Sequence, residues 1–99
     1  MATGSNIKEK NNIKIKEPKK YKVVMYNDDF TSMEFVVFVL MNIFRKSNEE
    51  AVNIMMMVHK GGKAIVGTYS YDIARTKVDQ TTQLAREEGF PFRLKIEEA

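Results

Sequence analysis

The 99-residue chain has no cysteine, no tryptophan, one histidine and two prolines. The missing cysteine excludes disulfides, thiol nucleophiles and thiolate metal centres. With one histidine and no plausible activated serine, a small hydrolase built on Asp29 and His59 is poorly supported, and so is a metal site. No metal and no cofactor is therefore expected. A reducing, cytoplasmic setting is compatible with this composition. Long apolar runs are also missing. The longest, Phe35 to Met41, falls far short of the roughly 20 residues of a membrane span, so no membrane partner is expected. The first twenty residues are polar, so a secretory leader is not expected either.

The hydrophobic fraction, 43%, is ordinary for a globular domain and argues against wholesale disorder. The net charge of +3 is unevenly spread. Residues 1–20 hold six Lys against two Glu, a balance of +4. The remainder holds ten Lys and Arg against eleven Asp and Glu, a balance of −1. A basic, Asn- and Lys-rich segment with isolated Ile7, Ile13 and Ile15 reads as a flexible arm over residues 1–17, followed by one domain over 18–99. The arm could attract nucleic acid, but the domain is nearly neutral and lacks a basic-aromatic pattern. A ribosome- or nucleic-acid-associated module is thus the alternative reading, and no nucleic-acid partner is expected in the leading one.

Residues 21–26 have the β-branched and aromatic character of a strand. The run Phe35–Leu40 has strand-like residue types but a helical context. Thr31 with Glu34 fits a capping box, and Arg45 and Lys46 suit a helix C-terminus. A helix, apolar nearly all round, is predicted there. Ser47 and Glu50 repeat the box before a second helix carrying Ala51, Ile54, Met55 and Val58 at i, i+3, i+4 and i+7. Gly61-Gly62 ends it, and Ala64 to Tyr69 reads as a strand. Ser70 is placed to cap a third helix over about 71–88, with Ala74, Val78, Thr81 and Ala85 facing inward. Gly89 and Pro91 stop it. Residues 92–97 alternate apolar and charged, as a strand with one buried face does. The prediction is a single small α+β domain in the order β-α-α-β-α-β, a three-stranded antiparallel sheet packed against three helices.

Between the first strand and helix stand Asn27, Asp28 and Asp29. Two carboxylates and a carboxamide beside an apolar helix suit a ligand with a cationic end and an apolar end. Such residues also make ordinary turns, and a lone His59 is often structural. Sequence spacing lets His59 approach the Asn27–Asp29 corner if the second helix packs on the first.

Two strings go further. Tyr21 to Val36, containing Asn27-Asp28-Asp29, Thr31 and Met33-Glu34-Phe35-Val36, resembles the signature of the ClpS adaptors of bacterial Clp proteases. Met55 to Gly67, containing Val58-His59 and Gly62-Lys63-Ala64, resembles it too, as does the third helix with Ala74, Thr76, Lys77 and Val78. The similarity runs from about Pro18 to Ala99. It implies a non-enzymatic, monomeric adaptor for N-end-rule substrates, whose first residue is Phe, Tyr, Trp or Leu. The implied partners are those substrates and the N-terminal domain of a ClpA or ClpC AAA+ unfoldase, which feeds ClpP. Carried over, Asn27, Asp29 and His59 would hold the substrate α-amino group, with Asp28 supporting the corner. Thr31 would hold peptide backbone. Met33, Val36, Met55, Val58 and Phe92 would line the side-chain pocket, Met33 as its gate against β-branched residues. Asp72 and Lys77 match positions near the unfoldase contact, although a solvated helix face accounts for them equally. Three positions depart from the family pattern: Ser32 where Pro is frequent, Phe92 where Leu is usual, and Phe38 where a polar residue is common. Ser32 should loosen the corner, Phe92 should narrow the pocket, and Phe38 should leave an exposed apolar spot.

Overall fold

The computed structural model describes residues 18–99; the predicted arm, 1–17, lies outside them. The elements are β1 (Tyr21–Tyr26), α1 (Met33–Asn42), α2 (Asn48–Gly61), β2 (Lys63–Tyr69), α3 (Tyr71–Glu88) and β3 (Arg93–Glu98). Their order and the antiparallel three-stranded sheet match the sequence expectation. β1 is central, pairing with β2 and β3 on either side. Alternation in each strand sends one row of side chains into the core: Val23 and Met25 from β1, Ala64 and Val66 from β2. The helices cover that face with Phe35, Val36, Val39 and Leu40 of α1, Ala51, Met55 and Val58 of α2, and Ala74 and Ala85 of α3.

The register shifts between Val23 and Val24, so β2 carries a bulge at Val66. Next to it, Gly67 is required for space. A Cβ there would meet the Tyr69 hydroxyl at 2.6 Å.

Helix boundaries follow local hydrogen bonding. The Ser47–Glu50 capping box forms in both directions. The Thr31–Glu34 box does not. Ser32 is the N-cap of α1, its Oγ accepting from the Phe35 N–H at 3.1 Å. Thr31 stands one residue before the cap, its hydroxyl turned back to donate to Asp28 Oδ2 at 2.7 Å. Arg45 and Lys46 also lie beyond α1 rather than in its last turn. The Ile43 and Phe44 N–H groups both donate to the Val39 carbonyl and the Lys46 N–H to that of Leu40. Arg45 turns the chain with a left-handed φ of 57°. Ser70 occupies the N-cap position of α3, but its side chain makes no capping bond. Gly62 and Gly89 close α2 and α3 in the left-handed conformation, with φ of 90° and 80°. No helix among the described residues is long and apolar enough to cross a membrane.

Candidate functional site

The β1–α1 corner is a tight turn organised by one carboxylate. Asp28 Oδ1 accepts from the N–H groups of Phe30, at 2.8 Å, and Thr31, at 2.7 Å, while Oδ2 takes the Thr31 hydroxyl. Burial alone would push the Asp28 carboxyl up. The hydrogen bonds from Thr31 and Phe30 outweigh it and hold the group below its ordinary value. Asp28 is thus largely occupied by its own turn. Its neighbour is not: Asp29 is exposed and has no hydrogen-bond or ion-pair partner among the described residues. The side chains of Asn27 and His59 are likewise exposed and without such partners there.

A backbone tie brings the histidine to this corner. The Asn27 N–H donates to the Gly62 carbonyl at 2.9 Å, fastening the end of β1 to the C-cap of α2. His59 sits in the last turn of that helix, one residue after buried Val58. The core-facing stripe of α2 meanwhile packs Met55 and Val58 toward α1.

Between corner and helices lies a hollow of about 420 Å³. Its lining joins Asn27, Asp28, Asp29 and His59 at the polar end to Met33, Val36, Met55 and Val58 at the apolar end, with Phe30, Thr31 and Ser32 between. That volume falls within the range of roughly 300–1,000 Å³ usual for ligand sites. Met33 is 42% exposed and Met55 only 8%, so one flexible thioether stands at the mouth and another deeper. A host of this kind has unspent acceptors at one end and a greasy recess at the other.

Two residues from the sequence reading fall elsewhere. Phe92 does not line the hollow. It is 6% exposed and meets Phe35 edge-on, with ring centres 6.2 Å apart, while Phe90 flanks Phe35 at 5.1 Å. Its ring is a core element behind α1, so it does not narrow the recess. Lys77 is engaged internally. Its Nζ donates to the Ile43 carbonyl at 2.7 Å and stands over the rings of Phe44 and Tyr69 at 5.8 and 5.7 Å. Asp72 is exposed in the first turn of α3. Phe30 and Ser32 were not singled out as lining residues; their position inside the Asn27–Phe35 turn was the available signal. Among the described residues no group of three metal-ligating side chains gathers.

The chain was compared with known proteins. Residues 16–95 match the family model of the ATP-dependent Clp protease adaptor protein ClpS. The ClpS adapter of Lawsonia intracellularis is 51% identical over 85 residues, covering 86% of this chain and 78% of that protein. That of Wolinella succinogenes is 45% identical over 100 residues, covering 99% and 98%. The structure of Agrobacterium tumefaciens ClpS2 bound to L-phenylalaninamide superposes with a TM-score of 0.80 at 42% identity, covering 84% of this chain and all of that one.

Proposed function

The chain belongs to the ClpS family of Clp protease adaptors, and from that premise we propose that it captures proteins by a bulky apolar first residue and passes them to a ClpA- or ClpC-type unfoldase. The ligand in the related ClpS2 structure, L-phenylalaninamide, has an amine and an aromatic side chain. An N-terminal Phe, Tyr, Trp or Leu offers this chain the same two handles.

An α-ammonium brings three N–H donors and one positive charge. In our reading the Asp29 carboxylate and the Asn27 carboxamide oxygen accept two of those bonds, and a His59 ring nitrogen accepts the third. Charge-assisted bonds of this type contribute about 1.5–3 kcal/mol each. The first side chain enters between Met33, Val36, Met55 and Val58, where its burial contributes roughly another 1.5–3 kcal/mol. Asp28 acts through the turn, holding Asp29 and Thr31 in place. Thr31, its hydroxyl donated to Asp28, can still receive a peptide N–H on a lone pair. The protein works by binding and handover, without turnover of its own, with Asp72 on the exposed start of α3 as a contact for the unfoldase.

The observation that carries this reading is one hollow holding both an unpartnered carboxylate and a methionine-lined recess. A fluorescence-anisotropy titration with a Phe-headed peptide and its N-acetylated twin tests it. The free amine should bind at micromolar or tighter affinity and the acetylated peptide about a hundredfold more weakly, because acetylation removes the charge and leaves the acceptors that the peptide covers unpaired. Equal affinities would reject the ammonium site. Binding should also weaken above about pH 8, where an α-amine loses its proton.

A further inference from the structure

Phe38 is half exposed on α1 and lies in one apolar surface with the exposed Met33, and a contiguous apolar patch of this kind marks an interaction site more often than a lone ring does. It forms the far wall of a second apolar groove, about 470 Å³, made with Met33, Glu34, Val37 and Met55. Met33 and Met55 belong to both cavities, so the two methionines are a shared partition rather than a boundary. The hollow uses the Ser32 cap with Met33 and Val36 of α1; the groove uses Met33 with the next row round, Glu34 and Val37, and Phe38 beyond it.

We propose that this groove is a second specificity subsite, which takes an apolar side chain at the third position of the captured polypeptide. The inference rests on the reading of the hollow given above. Moving one residue round a helix turns the contact surface by about 100°, which at a side-chain radius of roughly 5 Å displaces it by about 8 Å. In an extended peptide, side chains on the same side recur every second residue, about 6.6–6.8 Å apart. A peptide whose first side chain fills the hollow and whose backbone crosses Met33 therefore presents its third side chain to the groove, while the second points to solvent. The occupant is argued from continuity: Met33 and Met55 line both cavities, so a chain that leaves the hollow over Met33 reaches the groove. Phe38 is the specificity-determining residue, since it is the aromatic ring in the wall, with Glu34 and Val37, that the hollow does not share.

The test uses the full chain and two labelled peptides headed by Phe, identical except for Leu or Ser at position three. On the unmodified protein the Leu peptide should bind about fivefold tighter, the gain from half-burying one aliphatic side chain. In Phe38→Ser, at a half-exposed position on α1, that ratio should fall to near one while the circular dichroism spectrum matches that of the unmodified protein. A ratio near one on the unmodified protein, or a fivefold ratio that survives in Phe38→Ser, overturns the subsite and leaves the hollow standing. Failure of both peptides to bind overturns the hollow, and the subsite with it.

Discussion

Two surface regions carry the charges that stand out in this chain, and they use them in opposite ways. At the β1–α1 corner two adjacent carboxylates divide the work. Asp28 spends its oxygens on the turn, and Asp29 has no described partner. On the first half of α3, Asp72 and Lys77 look alike as solvated charges, yet Lys77 is bound to the Ile43 carbonyl and two aromatic rings. A charged residue is available for recognition only to the extent that its own fold has not consumed it.

The sharpest way to break this comparison is to exchange roles within the corner. Asp29→Ala should weaken binding of a Phe-headed peptide by about 2–5 kcal/mol, because it leaves the ammonium without its counter-charge. Melting temperature should barely move, as Asp29 supports nothing else described. An Asp29→Ala protein that binds normally would remove that carboxylate from the site.

Asp28→Ala should show the reverse balance. Loss of three hydrogen bonds to one partly buried carboxylate is expected to reduce stability by about 1–3 kcal/mol, visible in urea titration. Peptide affinity should fall less than in Asp29→Ala, through loosening of the turn. Lys77→Ala comes next: about 1–2 kcal/mol of stability lost from its hydrogen bond and ring contacts, with peptide affinity unchanged. A Lys77→Ala protein of unaltered stability that fails to deliver a model substrate would instead make Lys77 an unfoldase contact.

The smallest expected effect is on acid sensitivity. The Asp28 carboxyl is held below its ordinary value, so the folded state keeps it charged to lower pH than the unfolded state does. The resulting stabilisation is complete above the unfolded value of about 3.9 and is lost as pH falls through the folded one. Stability measured downward from pH 5 should therefore decline less steeply in Asp28→Ala. Parallel curves would mean that the turn does not feel the carboxylate's protonation.

Much of this was legible before any coordinates. Order and type of the elements were legible, because α2 and α3 show the core a stripe at helical spacing and β3 alternates strictly, while α1 was legible from its context rather than from a stripe. The hollow's lining was legible because it combines two local strings with a helix-terminal histidine. What could not be read was competition between neighbours. Thr31 and Ser32 can each cap a helix, and only the structure shows that the Thr31 hydroxyl turns back to Asp28 while Ser32 takes the Phe35 N–H. Arg45 sits where a helix end would welcome a cation, but no pattern announces that Phe44 and Lys46 bond back to Val39 and Leu40 and the chain then turns left-handed. Phe92 immediately precedes an amphipathic strand, and its depth behind Phe35 depends on how α1 lies across the sheet, which periodicity does not encode.

The bond from the Asn27 amide to the Gly62 carbonyl makes the two jaws of the recess into a caliper of set opening. Acid and imidazole are mounted on elements far apart along the chain, yet this bond and the neighbouring Tyr26–Lys63 pair of the ladder fasten their supports together. Gly62 is therefore an anchor point as well as a helix stop, and any residue with a Cβ would be strained at its φ of 90° although the space around it is open.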